Sequence, residues 1–467
     1  MKTFYIPLLA SALLAAACGQ GAQQFDIDNT KPVTPDNRVI YQMNIGAFTP
    51  EGTFAAAGRQ LGRLDTLGAD ILWLMPIYPR GHKMNSPYAS MDFTMVNPAY
   101  GTADDLKRFV GEAHRRGMKV WLDWVPNHVA VENRWVAEHP EFFTKDAHGR
   151  MIHPHGWGDV YELNYHDEGL VEAMNSAMRQ WISVADVDGF RCDYVSSPTI
   201  PVKYWQDIIA ELNSHGKTIE FLGETDISNP ENRRIDSCGF DYDYAWDFQG
   251  ELARKFNDSD NADSLRAICD RLLAASAKVK NKRMVYLTNH DQNYNDGGNT
   301  LKDFYGDNRY LLTVLEFTFH GMPLIYQGQE IGDPDTLNYF TDAKVKWHLA
   351  DRKMLNTVRT LVALHHTFAS LSAAAPVEYI ETAGSQVLAY RRGPVVVALN
   401  IGREPAAVQL SGIEAGPYQQ WLDSSTIGSG PAVADVVLTP QSAIRLQGKG
   451  YAVYVKKTMN LWERRQD

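Results

Sequence analysis

The chain has 467 residues, a formal net charge of −11 and a pI near 5.7. Its hydrophobic content of 44% and charged content of 22% are typical of an ordinary globular protein. The acidic balance argues against a nucleic-acid or other polyanion partner and suits a neutral ligand such as a sugar. The length has room for about three average domains, or for one large barrel with additions.

The N-terminal 17 residues have the pattern of a secretory signal peptide. Lys2 precedes an apolar run from Phe4 to Ala17, which is short for a membrane span and ends in small residues. Cys18 then resembles the lipidated first residue of a bacterial lipoprotein, and the alternative is an ordinary signal peptide with an incidental cysteine. Residues 18–37 are polar without an apolar period and predict a tether. We expect an exported protein, anchored through Cys18 in the periplasm or at the cell surface, or otherwise secreted.

Strands and helices alternate through most of the remaining chain. Apolar strands are predicted at 39–43, 70–76, 119–123, 187–193, 218–223, 239–242, 283–288 and 321–330. Helices are predicted at 53–67, 102–117, 168–184, 202–215 and 351–371. Repeated strand–helix units with right-handed crossovers close a parallel barrel, so this pattern predicts a (β/α)8 barrel over residues 38–372.

Two further regions depart from this alternation. Residues 129–164, after the third strand, are irregular and rich in His, Trp and Gly, which interrupts the alternation of strands and helices. Residues 373–457 have short alternating runs between turns rich in Gly and Pro, which predicts a C-terminal antiparallel β-sandwich.

Several barrel strands end in polar, chemically capable residues. Arg191 and Asp193 lie two residues apart, so on a strand they point to the same side. A cation there keeps the carboxylate ionised, as a nucleophile needs, although a structural ion pair at a strand end has the same pattern. Cys192 faces the other way and is predicted to be a buried free thiol. Active sites of (β/α)8 barrels lie at this C-terminal rim.

Four segments carry a resemblance to a known family. Residues 122–128, 187–193, 221–224 and 285–291, in this order, resemble the signature regions of the α-amylase family of retaining glycoside hydrolases, glycoside hydrolase family 13. The resemblance runs from about residue 38 to residue 455. It implies that residues 129–164 form a small inserted subdomain after strand 3. It also implies the barrel and the C-terminal β domain that the pattern of strands and helices itself predicts.

The resemblance also implies roles for individual residues. Asp193 matches the nucleophile, Glu224 the general acid/base, and Asp291 the third acid that grips the sugar and favours the transition state. The implied substrate-binding residues are Tyr88, His128, Arg191 and His290. Asp123 matches a supporting position. No cofactor is required for this chemistry.

The spacing of the two main acids fits the retaining mechanism. Asp193 and Glu224 are 31 residues apart, the length of one strand–helix–strand step, so they end adjacent strands. Adjacent strands lie about 4.8 Å apart, close to the roughly 5–5.5 Å between the carboxyl groups of a retaining pair. A carboxyl beside ionised Asp193, without an adjacent cation in sequence, predicts a raised pKa for Glu224.

The predicted activity is endo-type hydrolysis of α-1,4-glucosidic bonds in starch-like glucans or maltooligosaccharides. Exo-acting relatives often have Asp three residues before the loop tyrosine, where this chain has Asn85. The alternatives are α-glucosidase, neopullulanase-like or transglycosylase activity on the same substrates. A remote alternative is a non-catalytic glucan-binding protein, but such proteins usually lose one of the three acids.

Calcium is the one metal that the resemblance raises. Asn127 matches a position that binds calcium in many members of the family. The other ligands cannot be traced, because residues 194–197 lack the usual Lys-His and residues 49–52 lack an Asp-rich run. Calcium therefore stays an alternative without further support in the sequence.

Overall fold

The computed structural model describes residues 30–256, 261–295, 298–373, 375–382, 386–425 and 434–457. The predicted signal peptide, Cys18 and the first part of the tether lie outside these ranges. Within them, no helix combines the length and the apolar character that a membrane crossing needs. The cysteines that fall inside them, Cys192, Cys238 and Cys269, are buried and free.

Eight parallel strands close a barrel in the order β1-β10-β9-β8-β7-β6-β3-β2, which confirms the predicted (β/α)8 architecture. In chain order the first ten strands are β1 Ile40–Met43, β2 Ile71–Leu74, β3 Lys119–Trp124, β4 His128–Ala130, β5 Val160–Glu162, β6 Gly189–Cys192, β7 Glu220–Gly223, β8 Tyr242–Tyr244, β9 Lys282–Val285 and β10 Met322–Tyr326. The α-helices are α1 Ile45–Phe48, α2 Phe54–Arg59, α3 Leu61–Leu67, α4 Ala103–Arg115, α5 Trp135–Glu138, α6 Glu168–Ala185, α7 Val202–Asn213, α8 Trp246–Lys255, α9 Ala262–Ser276, α10 Leu301–Tyr305, α11 Arg309–Thr318 and α12 Arg352–Thr367.

The barrel strands are buried on both faces, which explains their nearly continuous apolar sequences. In β2, Ile71 and Trp73 belong to the cluster inside the barrel, whereas Leu72 and Leu74 belong to the cluster between sheet and helices. The interior is filled mainly by large rings and aliphatic chains, so it is a packed core and not a pore. The chemistry is thereby confined to the rim.

Two elements differ from the sequence prediction. Strand β8 begins at Tyr242, where the predicted strand ended, because Phe240 packs outward against Trp205 with ring centroids 5.1 Å apart. The side chain of Asp241 accepts a hydrogen bond from the backbone of Phe221 at 2.8 Å. The predicted helix at 53–67 is divided at Gln60 into α2 and α3.

The segment after β3 forms a small subdomain around one antiparallel pair. Strand β4 pairs with β5 so that His128 lies opposite Glu162. The short helix α5 and two 3-10 turns, Pro140–Phe142 and Pro154–Gly156, occupy the connection. This pair carries His128 to the rim of the barrel.

The C-terminal domain is an antiparallel β structure packed on the barrel helices. Its six-stranded sheet has the order β11-β12-β13-β18-β15-β16, and the pair β14-β17 covers one face. The strands are β11 Glu378–Ile380, β12 Val387–Arg392, β13 Val395–Asn400, β14 Ala406–Gln409, β15 Gly416–Asp423, β16 Ala434–Leu438, β17 Ala443–Leu446 and β18 Tyr451–Lys456. Tyr390, on the other face, lies 2.6 Å from the hydroxyl of Thr318 on α11.

Residues 30–37, predicted as the end of the tether, are packed against the barrel. The side-chain amide of Asn37 donates to the carbonyls of His365 at 2.7 Å and Phe368 at 3.0 Å, at the C-terminal end of α12. The hydroxyl of Thr30 lies 3.0 Å from Nδ1 of His366. Asn37 thus satisfies helix-end carbonyls that would otherwise lack partners, and Thr30 binds a histidine ring, so the polarity of this segment does not produce a free tether here.

Candidate active site

The C-terminal ends of the barrel strands open into a cavity of about 1320 Å³. Six of the residues singled out from the sequence line it: Tyr88, His128, Asp193, Glu224, His290 and Asp291. The structure therefore brings together side chains that are spread over two hundred residues of sequence. Arg191 and Asn127 lie buried beneath them.

Asp193 and Glu224 are each the first residue after one of two neighbouring strands. Cys192 of β6 lies opposite Gly223 of β7 in the parallel register. The amide of Asp193 donates to the carbonyl of Trp124 at 2.8 Å, and the amide of Glu224 donates to that of Cys192 at 2.9 Å. The side chains keep 14% and 16% of their surface exposed, so both carboxyl groups can be reached from the cavity.

Arg191 holds three carboxylates from below. Its guanidinium lies 2.8 Å from Asp123, 3.0 Å from Asp193 and 2.9 Å from Glu224. Its Nε donates to the hydroxyl of Tyr244 at 3.0 Å. The side chain is fully buried, so the predicted role of Arg191 as a substrate-binding residue is corrected: it contacts the acids and not the cavity.

The two main acids, Asp193 and Glu224, differ in how strongly each holds a proton. Burial raises the pKa of Asp193 above its usual value, and the charge of Arg191 opposes this rise. Burial also raises the pKa of Glu224; Arg191 again opposes it, while the negative charge of Asp193 raises it further. A hydrogen bond between the two carboxyl groups lowers the pKa of Asp193 and raises that of Glu224. When the pair holds one proton, Glu224 is therefore its preferred site and Asp193 is ionised.

Asp123 links Arg191 to the rings beside the cavity. Its Oδ2 accepts hydrogen bonds from the indole of Trp73 and the hydroxyl of Tyr88, both at 3.0 Å. Burial raises the pKa of Asp123 to about 6, with Arg191 opposing the rise. The completely buried Asp123 thus orients Trp73, Tyr88 and Arg191 around it.

His290 is fixed as a neutral imidazole. The amide of Gln42 donates to its Nδ1 at 2.7 Å, and its Nε2 lies 2.6 Å from the hydroxyl of Tyr88, on which the ring is stacked at 5.2 Å. Burial holds the pKa of His290 well below its usual value. The sequence analysis missed Gln42, although an amide in an apolar strand is a signal that could have found it.

His128 is neutral as well. Burial lowers its pKa to about 4, and its Nδ1 lies 3.1 Å from the side-chain amide nitrogen of Asn127. The ring meets that of Trp157 edge to face at 5.5 Å. Trp157 remains 46% exposed in the cavity wall, so it offers a flat apolar surface to a ligand.

Asp291 begins a single π-helical turn, Asp291–Asn295, just beyond β9. The side chain of Asn289 accepts hydrogen bonds from the amides of Asp291 at 2.8 Å and Gln292 at 3.2 Å, which fixes the start of this turn. The carboxylate is 23% exposed and lines the same cavity as the other two acids.

One wall of the cavity comes from loops that the sequence analysis did not connect. Tyr339 and Phe340, after β10, are stacked at 4.8 Å and line the cavity beside His290. The side chain of Asn85, in the loop after β2, donates to the carbonyl of Phe340. Arg80 of that loop donates to the carbonyl of Tyr339 at 3.1 Å. The two loops are therefore bonded across one end of the cavity, a long-range contact that no local motif signals.

The described residues do not fit a calcium site around Asn127. Its Oδ1 is buried without a hydrogen-bond partner there and could supply one ligand. The carbonyls of Ser196 and Ser197, after the nucleophile position, accept hydrogen bonds from Arg234 at 2.9 and 2.6 Å. Among the described residues, no group of three or more His, Cys, Asp or Glu could hold a metal. Calcium takes about six to eight oxygen ligands.

An eight-stranded barrel with a pair of carboxyl groups and a third acid at its C-terminal rim is an arrangement that fits the glycoside hydrolase barrels. Residues 28–161 and 155–363 match the catalytic domain of the α-amylases. The chain belongs to the α-amylase family.

Individual relatives share about a quarter of their residues with this chain. A malto-oligosyltrehalose trehalohydrolase of Saccharolobus solfataricus is 26% identical over 371 residues, 72% of this chain and 63% of that protein. An α-amylase of Haloarcula japonica is 27% identical over 443 residues, 88% of this chain. The match covers 62% of that protein. The chain therefore spans less than two thirds of the length of each of these two relatives.

Solved structures agree over nearly the whole chain. A noncanonic maltogenic α-amylase of Thermotoga neapolitana is 25% identical with a TM-score of 0.76, covering 91% of this chain and 100% of that one. An α-amylase of Lactobacillus plantarum is 26% identical with a TM-score of 0.73, covering 90% and 99%.

We predict that metal removal leaves the protein unchanged. Because no group of three or more His, Cys, Asp or Glu among the described residues could hold a metal, EDTA should shift the melting temperature by no more than the error of the measurement. Differential scanning calorimetry with EDTA, with EDTA plus excess calcium, and without either checks this. A large fall in melting temperature that calcium reverses would contradict it.

Proposed function

We propose that this protein is a retaining hydrolase of α-1,4-glucosidic bonds in starch-like glucans or maltooligosaccharides. One observation carries the proposal: Asp193 and Glu224 end adjacent strands over one shared arginine, with the proton on Glu224. A retaining glycosidase needs an ionised nucleophile and a protonated acid side by side. The acidic pair is arranged for that division of roles.

In this mechanism Asp193 attacks the anomeric carbon while Glu224 donates its proton to the glycosidic oxygen. The bond to the leaving sugar breaks, and the donor sugar is held on Asp193 as a covalent ester. Glu224, now ionised, takes a proton from water as the water attacks the same carbon. Asp193 leaves as a carboxylate, and both acids return to their starting states.

The surrounding residues serve the donor sugar. Asp291 supplies a second negative charge to the cavity, where a positively charged transition state develops. His128 and His290 are neutral, so the two rings line the cavity without adding positive charge beside the developing transition state. The presence of all three acids in one cavity argues against a non-catalytic glucan-binding role.

Substitution of the two acids tests the catalytic roles. Asp193→Asn and Glu224→Gln should each lower kcat on the best α-glucan by roughly 10²- to 10⁴-fold or more, because each removes a group that acts on the reacting bond. Glu251→Gln, at a cavity carboxylate that pairs with Arg271, is the matched control and should keep its rate. Steady-state kinetics and melting temperatures are measured together. A near-normal rate in either acid variant, with intact folding, would reject the assignment.

Action at chain ends is a second candidate beside the endo action that the sequence predicts. It is favoured by the contact of Asn85 with Phe340, which bonds two loops across the cavity end beside His290. A groove crossed in this way receives a chain terminus more readily than the middle of a polymer. The opposite side, beyond Glu224, is lined by separate loops and by α8.

The products of digestion distinguish these two modes. Amylose, pullulan and sucrose are digested in parallel, and products are followed by chromatography over time. Action at chain ends gives one short product from the start, whereas endo action gives a broad mixture that shortens later. Asn85→Ala should broaden the products of a chain-end enzyme, whereas His82→Ala, on an exposed residue of the same loop, should not. A mixture from the wild type that Asn85→Ala leaves unchanged would reject action at chain ends.

We further propose that the chain is exported and anchored through Cys18, which lies outside the described residues. A single acyl chain buries about 0.8 kcal/mol per CH₂, and several chains together give stable anchoring. The wild type should therefore fractionate with membranes, whereas Cys18→Ala should not be lipidated. Mass spectrometry of the mature N-terminus checks the modification, and an unlipidated soluble native protein would contradict it.

A further inference from the structure

The structure places a cation against the turn that follows the nucleophile position. Arg234, in the 3-10 helix Pro230–Ser237, donates to the carbonyls of Ser196 at 2.9 Å, Ser197 at 2.6 Å and Ile200 at 3.3 Å. No described carboxylate lies within ion-pair distance of it. Its partners are backbone oxygens alone, so its role differs from that of the paired surface arginines.

The same turn touches the candidate acid. The amide of Tyr194 donates to Oε2 of Glu224 at 2.9 Å, and the amide of Val195 donates to the carbonyl of Glu224 at 3.2 Å. Tyr194 has a φ of +42°, which places it in the left-handed region that a residue with a side chain rarely adopts. Such a conformation persists where surrounding contacts hold it, and it is what aims this amide at Glu224.

We propose that Arg234 is a positioning residue of the acid/base: its guanidinium holds the 194–200 turn so that the Tyr194 amide stays on Glu224. The inference rests on the proposed function for the role of Glu224 in hydrolysis. The claim that Arg234 holds the turn in place does not depend on the proposed function. Arg234 does not line the cavity, so it acts through the turn and not on the substrate.

The planar guanidinium suits this task better than an ammonium group. Its donors point in fixed directions and reach three acceptors at once, whereas lysine offers a single charged point on a flexible chain. The neighbouring Arg233 is exposed and makes one long contact, 3.4 Å, to the carbonyl of Ile227. Arg233 therefore provides a control variant with the same type of side chain, one residue away from Arg234.

Kinetics test the role in catalysis. Arg234→Ala should lower kcat/KM on a maltooligosaccharide by about tenfold to a hundredfold, mostly through kcat, because the acid is misplaced while the sugar contacts remain. Arg234→Lys should recover only part of the loss, and Arg233→Ala should match the wild type. An activated aryl glycoside, whose leaving group needs little protonation, should be affected less than the maltooligosaccharide.

The pH profile gives a readout that a merely structural role would not move. The Tyr194 amide stabilises ionised Glu224, so its loss should raise the pKa of Glu224 and shift the basic limb of kcat/KM to higher pH. The other charged and titratable groups facing Glu224 are unchanged in the variant: Arg191, Asp193, Asp123, Tyr244 and Tyr286. Arg233→Ala should leave the limb where it is.

Chemical rescue separates this inference from the proposed function. Millimolar guanidinium should restore activity to Arg234→Ala and raise its melting temperature, with neither effect on Arg233→Ala. Equal kcat/KM values and pH profiles for Arg234→Ala and Arg233→Ala would overturn the inference. If the wild type cleaves no α-glucan, the proposed function fails, and only the melting temperature then tests the role of Arg234. In that case the inference is overturned if guanidinium does not raise the melting temperature of Arg234→Ala more than that of Arg233→Ala.

Discussion

The active site depends on one buried cation shared among three acids. Taking a guanidinium out of water is costly unless carboxylates compensate it, and Arg191 has three within 3.0 Å. Three ionised carboxylates around one guanidinium would leave excess negative charge in a buried space, so the cluster favours holding one proton. The proton lies on Glu224, because Asp193 repels a second negative charge there. The proposed acid and the proposed nucleophile are thus distinguished by a balance of charge.

Asp123 connects the buried charge cluster around Arg191 to the cavity wall through its hydrogen bond with Tyr88. It fixes the hydroxyl of Tyr88, which in turn meets His290, so the ring at the donor site is tied to the same buried charge as the acids. A substitution at Asp123 would therefore disturb Arg191 and Tyr88 together. The barrel core supports this arrangement, since the indole of Trp73 donates to the same carboxylate.

The sequence predicted which side chains lie together wherever they follow a strand end. Asp193 and Glu224 are one strand–helix–strand step apart, so local pattern and chain order place them side by side. Contacts between strands were harder to predict, because the contact of Arg191 with Glu224 depends on how neighbouring strands are staggered. The contact of Gln42 with His290 joins β1 to the segment that follows β9, and these two strands lie on either side of β10 in the closed barrel.

Polar segments were the other source of error, because composition does not reveal a partner. Residues 30–37 lack an apolar period, yet Asn37 binds carbonyls at the end of α12 that a helix cannot satisfy itself. The same limit applies to Arg234, whose partners are backbone oxygens that leave no trace in the sequence. Loops are positioned by such contacts, and the barrel strands are positioned by their own register.

The entry of the chain into the barrel has a consequence for orientation. Residues 30–37 lead into Arg38, which pairs with Glu220 at the start of β7, on the N-terminal face of the barrel. The cavity opens on the opposite face, one full strand length away. The described chain therefore begins on the side of the barrel away from the cavity. A long polymer can reach the opening without passing the segment by which the described chain enters the barrel.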